Sequence, residues 1–304
     1  MKHLFIINPA AGKYDHTEEV SAKVRALCEA RGLDYEIKAS EKPGDCTALT
    51  RAAAETGAEY RVYACGGDGT LNEVVTGAAG AANVAVTHYP CGSGNDFIKN
   101  FNDPEAFASL ERLLDADGAT LDLIQMGDSY SLSICSVGID ARIGTGIQRY
   151  KHLPLVSGKG AYNISTVVNL LKGIHHHYVI EVNGQRLEGR YTLICVCNGR
   201  FYGGGYQPIP EAVLDDGKLE LMVLKKVSRL QIAGIIGKFK AGRYAEYPEL
   251  FRRFSTDRVV IHCDKEEVVN LDGEARYGKD VEILLSDNKL RFFYPKGLSY
   301  APKV

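Results

Sequence analysis

The 304-residue sequence has no long apolar run, no strong excess of either charge and no Cys-x-x-Cys pair. A membrane-spanning helix needs about 20 consecutive apolar residues, so we expect no transmembrane segment. The apolar stretch near the N-terminus is too short for a signal peptide and runs directly into a glycine loop. The formal net charge of −2 argues against a generic nucleic-acid-binding protein, which would carry a basic excess.

The eight cysteines are scattered, and several lie inside apolar, strand-like runs. This pattern favours buried free thiols in a reducing compartment over disulfides or a metal site. We therefore expect a cytoplasmic protein.

The most informative segment is the run from Tyr60 to Thr76. An apolar, β-branched stretch ends in Gly66-Gly67-Asp68-Gly69-Thr70, and apolar residues at helical spacing follow at once. A strand, a glycine turn and a helix N-terminus together favour phosphate binding, because glycine lets the backbone approach the anion. Asp68, which we expect to be exposed in this loop, would repel a phosphate unless a cation bridged them, so it indicates a Mg²⁺-nucleotide. The alternative is a structural turn in which Asp68 caps the helix.

Two further strand ends carry small polar loops. One is Asn8-Pro9-Ala10-Ala11-Gly12, after the apolar run Leu4–Ile7, and the other is Gly92-Ser93-Gly94-Asn95-Asp96, after the run 83–89. In open α/β sheets such loops lie side by side beyond the carboxyl ends of the strands, where ligands bind.

Two kinds of pattern divide the chain near residue 120. Strands and helices alternate before it, with helices predicted near 16–31, 45–56, 70–79 and 104–114, which favours a parallel sheet. Short strands dominate after it, with Asn183-Gly184 as a hairpin turn and helices near 160–172 and 228–240. We predict an α/β fold of two domains: a parallel-sheet nucleotide-binding domain (1–120) and an antiparallel β-sandwich (121–291).

The three loops, followed by Asn270-Leu271-Asp272-Gly273-Glu274, resemble in order and spacing the motifs of the diacylglycerol kinase catalytic-domain family. That family includes sphingosine and ceramide kinases and soluble bacterial lipid kinases. The resemblance implies an ATP-dependent lipid kinase that phosphorylates diacylglycerol or a related lipid to give phosphatidate and ADP. It also implies that residues 121–291 bind the lipid and that the tail, about 292–304, returns to the first domain.

The nucleotide site is predicted from the loops and, for Asn8 and Ser40, from the family. The residues expected to contact ATP are Asn8, Ser40, Gly66, Gly67, Asp68, Gly69, Thr70, Leu71, Asn72, Ser93 and Asn95.

Asp272 and Glu274 flank Gly273 in a polar turn, so both carboxylates can face one cleft. One would accept the proton of the substrate hydroxyl while the other helps to hold a metal, and the sequence leaves open which is the base. An ordinary acidic hairpin is the alternative. The resemblance also implies a Mg²⁺ site at the carboxylate of Asp216 and the carbonyls of Val213 and Lys218, besides the cation expected at Asp68.

Residues 225–253 hold eight basic and two acidic side chains with apolar residues between them. This segment is suited either to peripheral contact with an anionic membrane or to packing with a solvated basic face. Two other functions remain open: an NAD-kinase-like phosphotransferase with a soluble substrate, and a catalytically silent nucleotide-binding regulator. The oligomeric state, including a homodimer, is not determined.

Overall fold

The chain folds as two structural units in the computed structural model. The first comprises Met1–Leu123 and Ser286–Val304, and the second comprises Ile124–Leu285. The structure describes residues 1–92, 94–151, 168–169 and 173–300, without the side chains of 147–151. The division therefore falls after Leu123 rather than after residue 120, and the C-terminal return begins at Ser286 rather than near 292.

The first unit is built on a six-stranded sheet in the order β2-β1-β3-β4-β15-β5. Strands β1 to β4 are mutually parallel, while β15 lies parallel to β4 and antiparallel to β5. Its elements are β1 Lys2–Ile7, α1 Thr17–Arg31, β2 Tyr35–Ala39, α2 Asp45–Glu55, β3 Tyr60–Gly66, α3 Asp68–Ala78, β4 Val84–Pro90, 3-10 helices Phe97–Asn100 and Pro104–Ala108, α4 Leu110–Leu114, β5 Ala116–Leu121 and β15 Leu290–Pro295.

Burial explains why these segments form the centre of the unit. Leu4–Ile7 in β1 and Val62–Cys65 in β3 are buried at every position, as expected for parallel strands covered on both faces. Helix α1 ends at Gly32, whose left-handed conformation (φ 61°) is the usual helix stop. The carboxyl ends of β1, β3 and β4 therefore meet at one edge and present their loops together.

The second unit is a nine-stranded antiparallel sheet in the order β12-β11-β10-β8-β13-β14-β6-β7, with β9 paired to both β10 and β13. Within the described chain, the long strands β10 and β13 do not pair with each other directly. Strands β8 and β9 lie one after the other between them, and each pairs with both. The elements are β6 Ile124–Met126, β7 Ser129–Ser131, β8 Ile134–Gly138, α5 Ile139–Lys151, β9 His176–Val182, β10 Gln185–Cys197, β11 Leu219–Lys225, α6 Arg229–Lys240, a 3-10 helix Tyr244–Glu246, β12 Phe251–Thr256, β13 Arg258–Leu271 and β14 Glu274–Leu285.

The predicted fold class is confirmed: a largely parallel α/β unit is followed by an antiparallel, sandwich-like unit. The Asn183-Gly184 hairpin is also confirmed, with φ of 49° and 71° at its two turn residues. The continuous helix predicted near 104–114 was wrong, because Pro104–Ala108 and Leu110–Leu114 form separate short helices. The helix expected near 160–172 falls almost entirely outside the described residues.

No helix in the described ranges is both long and apolar enough to cross a bilayer. All eight cysteines are free, and seven of them are buried.

Candidate functional site

Three glycine loops of the first unit lie against one another at the edge of the sheet. A Cβ atom added to Gly92 would lie 2.4 Å from Cα of Gly67, and one added to Gly12 would lie 2.5 Å from the carbonyl oxygen of Cys91. Side chains do not tolerate such distances, so the loops require glycine for close backbone approach. The loops recognised separately in the sequence therefore form one surface.

Asn8 connects the end of β1 to the first turn of α3. Its Nδ2 donates to Oγ1 of Thr70 at 2.9 Å, and its Oδ1 accepts from the N–H of Ala10 at 3.0 Å. Gly66 is equally constrained, since a Cβ there would lie 2.2 Å from Oγ1 of Thr70. These contacts hold the first-turn N–H groups of α3 in a fixed position beside the loop, as an anion site requires.

Asp68 opens α3 and bonds to the neighbouring loop. Its Oδ1 accepts the N–H of Asp96 at 2.6 Å, and a Cβ on Gly94 would lie 2.5 Å from its Oδ2. The expectation that Asp68 is exposed was wrong, because its side chain lies against Gly94 and Asp96 and the residue is half-buried. Burial first, and then the nearby Asp96 carboxylate, raise the pKa of Asp68 above its usual value. A cation beside these two carboxylates would offset both effects.

Asn95 adds an oxygen to the same loop. It adopts a left-handed conformation (φ 48°), and its Nδ2 donates to the carbonyl of Gly92 at 2.8 Å. Its buried Oδ1 has no hydrogen-bond partner among the described residues. Asn95 thus offers a buried amide oxygen without a donor, on the loop that bonds to the half-buried Asp68 carboxylate. Such hard oxygen atoms are the ligands that Mg²⁺ prefers, so these residues fit the predicted cation.

The remaining predicted nucleotide residues lie around these loops. Ser40 follows β2, and its N–H donates to the carbonyl of Ile7 at 2.9 Å, which places it beside the end of β1. Gly67 precedes α3, and Gly69, Thr70, Leu71 and Asn72 lie in its first turns, with the last three buried. Ser93 is outside the described residues.

His88 was not singled out from the sequence, although a histidine in the otherwise apolar β4 is a usable signal. Its side chain is fully buried, and Nε2 lies 3.0 Å from the carbonyl oxygen of Gly66. That oxygen is an acceptor, so Nε2 carries the proton and Nδ1 does not. Nδ1 has no partner in the described part of the chain, and burial lowers the pKa of His88. An uncharged imidazole therefore holds the Gly66 carbonyl at the start of this glycine loop.

In the second unit, Asp272 and Glu274 have different environments. Asp272 accepts the backbone N–H groups of Leu132 (2.7 Å), Ser133 (3.1 Å) and Ile134 (2.8 Å). Burial raises the pKa of its carboxyl, and these hydrogen bonds oppose that rise. The half-buried Glu274 pairs through its backbone with Leu271 across the Asp272-Gly273 turn, and its carboxylate forms no hydrogen bond or ion pair with another described residue. The carboxylate of Glu274 is thus the freer of the two.

The predicted metal site at Asp216 lies in an exposed turn before β11. Oδ1 of Asp216 accepts the N–H of Lys218 at 3.1 Å, while Val213 is half-buried. Within the described ranges, no group of three or more His, Cys, Asp or Glu side chains could hold a metal. A site made of one carboxylate and backbone carbonyls is of a different kind, so this site stays a prediction.

Sequence reasoning also missed Asp140, which opens α5 directly after β8. Its carboxylate accepts the hydroxyl of Ser136 at 2.7 Å and a second hydrogen bond from Tyr202. Burial raises the pKa of Asp140. No sequence motif distinguishes this residue, because one of its two partners, Tyr202, lies far along the chain.

Comparison with known families accounts for both units. Residues 2–126 match the model of the diacylglycerol kinase catalytic domain. Residues 133–291 match the model described as the YegS C-terminal NAD kinase beta sandwich-like domain. The chain belongs to the diacylglycerol kinase catalytic-domain family.

Relatives of this kinase family are similar over nearly their whole length. A Staphylococcus carnosus protein named "Putative lipid kinase" is 26% identical, with 96% of each chain covered. A Pseudomonas fluorescens protein named "Probable lipid kinase YegS-like" is 28% identical, with 94% of this chain and 93% of that protein covered. The crystal structure of a putative diacylglycerol kinase from Bacillus anthracis shares the fold, with a TM-score of 0.74, 24% identity and 97% coverage of both chains.

Proposed function

We propose that this lipid kinase family member transfers the γ-phosphate of ATP to the hydroxyl of diacylglycerol, giving phosphatidate and ADP. The observation that carries the proposal is the mutual contact of three glycine loops beside the N-terminus of α3, where the Asp68 carboxylate bonds to Asp96. Phosphoryl transfer depends mainly on positioning and charge stabilisation, which such a rigid loop cluster supplies.

In this proposal the first unit binds the nucleotide. The first-turn N–H groups of α3 face the phosphates, and Asn8 holds Thr70 in place beside them. Asp68 and Asn95 would hold Mg²⁺, which neutralises phosphate charge when it is bound. His88 keeps the Gly66 carbonyl turned towards the sheet, so the loop N–H groups remain available.

Glu274 is the proposed general base. A lipid hydroxyl is a poor nucleophile until its proton has an acceptor, and the Glu274 carboxylate is uncommitted within the described chain. Asp272 is the less suitable base, since three backbone N–H groups already bind its two oxygens. We assign Asp272 the task of holding the turn that presents Glu274.

A second candidate function is phosphorylation of NAD. It is favoured by one observation, the match of residues 133–291 to a domain described as NAD kinase beta sandwich-like. The names of the similar proteins point instead to a lipid acceptor.

The test is transfer of radiolabel from γ-labelled ATP to a panel of acceptors in detergent micelles: diacylglycerol, sphingosine, ceramide and, without lipid, NAD. We expect labelled phosphatidate, dependent on Mg²⁺ and strongly reduced in Glu274→Gln. Label in NAD alone would replace the proposal with the second candidate. Binding of ATP without transfer to any acceptor would overturn both in favour of a silent nucleotide-binding protein.

A further inference from the structure

Helix α6 has an inner face whose role is packing. Ile235 and Phe239 are buried, and the Phe239 ring stacks on Phe251 of β12 with centroids 5.9 Å apart. Ser228 caps the helix through a reciprocal pair of hydrogen bonds with Gln231. This face belongs to a core cluster of the second unit, so the helix is firmly attached to the sheet.

The outer face of α6 is largely apolar although it is exposed, so contacts within the described part of the unit do not account for it. Leu230 is 86% exposed and Ile236 is 42% exposed. The other exposed positions from 231 to 237 are Ala233, Gly234, Gly237 and one uncharged polar residue, Gln231. No charged residue occurs from 230 to 237. By contrast, the exposed face of α1 carries charges of both signs, as a helix facing water usually does.

Basic residues precede and follow the apolar run of α6 along the chain. Residues 225–243 contain six basic residues and no acidic one. Lys238 and Arg243 are paired with Glu246, whereas Lys226 and Lys240 form no ion pair with any described carboxylate. The Lys240 ammonium lies over the ring of Tyr206, 5.2 Å from its centroid, so no described carboxylate neutralises its charge. The first turn of α6 has no acidic residue, so basic side chains lie at the positive end of the helix dipole and add to the positive potential there. The repulsion between these charges and the helix dipole lowers the stability of the helix, and an anionic partner would relieve it.

We propose that the outer face of α6 and its flanking cations, Lys226 and Lys240, dock on the surface of an anionic lipid bilayer. An apolar helix face with basic flanks is the pattern of interfacial helices, in which Leu enters the acyl boundary and Lys contacts phosphate headgroups. A second copy of this chain is disfavoured as the occupant, because a two-fold interface would oppose the same cations. The inference rests on the proposed function, since a lipid substrate is what requires contact with a bilayer.

The test is co-sedimentation of the full chain, without ATP, with vesicles of phosphatidylcholine alone or mixed with phosphatidylglycerol. We expect binding only to the anionic vesicles and weaker binding as salt rises. The double variant Lys226→Gln, Lys240→Gln should lower partitioning about 25-fold, because each cation contributes about fivefold. Leu230→Ser should lower it about tenfold.

Matched control variants test whether binding depends on this surface or on any exposed cation or apolar side chain of the unit. Lys265→Gln with Lys279→Gln removes two exposed cations of the same unit, and Tyr277→Ser removes a side chain that is 67% exposed. Both should bind as wild type does. Equal losses in test and control variants would overturn the proposal, as would salt-independent binding. A dimer in solution that Leu230→Ser converts to monomer would also overturn it.

A kinase assay distinguishes failure of the proposed function from failure of the docking proposal. Phosphorylation of a water-soluble short-chain diacylglycerol should be unchanged in Lys226→Gln, Lys240→Gln, because neither residue belongs to the candidate site. If wild type phosphorylates no lipid, the proposed function falls. Vesicle binding would still test the docking proposal, because salt-dependent binding that is lost in the α6 variants shows that this surface contacts the bilayer whether or not a lipid is phosphorylated.

Discussion

The Asp68 carboxylate accepts a hydrogen bond of 2.6 Å from the backbone N–H of Asp96, and so joins two loops that lie 28 residues apart in the chain. A substitution at Asp68 can therefore remove two things: the hydrogen bond that supports Asp96, and the proposed binding of a cation.

Two substitutions separate these functions. Asp68→Asn keeps an oxygen acceptor and removes the charge, so it should retain most of the stability and lose Mg²⁺-ATP turnover. Asp68→Ala should lose turnover and also about 1–3 kcal/mol of stability, because the N–H of Asp96 is left unsatisfied. Thermal unfolding and ATP turnover measure the two effects. Full turnover in Asp68→Asn would show that the charge is not needed.

Gly92→Ala tests the contact between the glycine loops. The added Cβ would lie 2.4 Å from Cα of Gly67, so the loops must separate. We expect loss of ATP binding, measured by calorimetry, with a lowered melting temperature. Gly234→Ala is the control, because a Cβ there meets nothing within 4 Å and should stabilise α6 by about 0.5–1 kcal/mol. Unchanged ATP affinity in Gly92→Ala would contradict the loop geometry proposed for the nucleotide.

The two carboxylates of the second unit should respond differently to substitution. Glu274→Gln should lower turnover by about 10²–10⁴ without changing stability or ATP binding, as loss of a general base predicts. Asp272→Ala should instead destabilise the fold by about 3 kcal/mol or more, because it removes the acceptor of three backbone N–H groups. Glu266→Gln, at an exposed position of β13, is the control. A stable Asp272→Ala with lost turnover would exchange the two assignments.

The site at Asp216 can be tested through Mg²⁺-dependent stability. If the ion braces the turn before β11, Mg²⁺ should raise the melting temperature of wild type and of Asp215→Ala but not of Asp216→Ala. Activity should fall in Asp216→Ala only, since the matched neighbour keeps the predicted ligand. An equal response to Mg²⁺ in all three proteins would remove the site.

His88 predicts a specific dependence of stability on pH. Burial lowers its pKa in the folded state, so the unfolded chain takes up the proton first as the pH falls. The contribution of His88 to stability is therefore complete above about pH 6.5 and declines below it, by up to about 1.4 kcal/mol per pH unit. His88→Gln can still donate to the Gly66 carbonyl but does not titrate there. Denaturant unfolding of both proteins from pH 7.5 to pH 5 should show a shallower slope for the variant, and parallel slopes would contradict a buried neutral imidazole.

Sequence patterns predicted most of the first unit because its signals are local. The β-branched runs and the Gly32 stop are readable one element at a time, and the observed α1 and α2 lie within one or two residues of the predicted ranges. Helix α5 was missed because its segment contains Gly144 and Gly146, which weaken the helical pattern. The short helices replacing the one predicted near 104–114 show the same limit of local propensity.

The sequence alone was sufficient for the family, the order of the motifs and the residue types available for phosphate and metal binding, because these depend on spacing along the chain. The tertiary structure decided which atoms are already occupied. It half-buried Asp68 against Gly94 and Asp96 and placed His88 beside the Gly66 carbonyl. It also distinguished Asp272, bound by three N–H groups, from Glu274, whose carboxylate has no partner among the described residues. Desolvation and hydrogen bonding between distant segments create these differences, and no local pattern contains them.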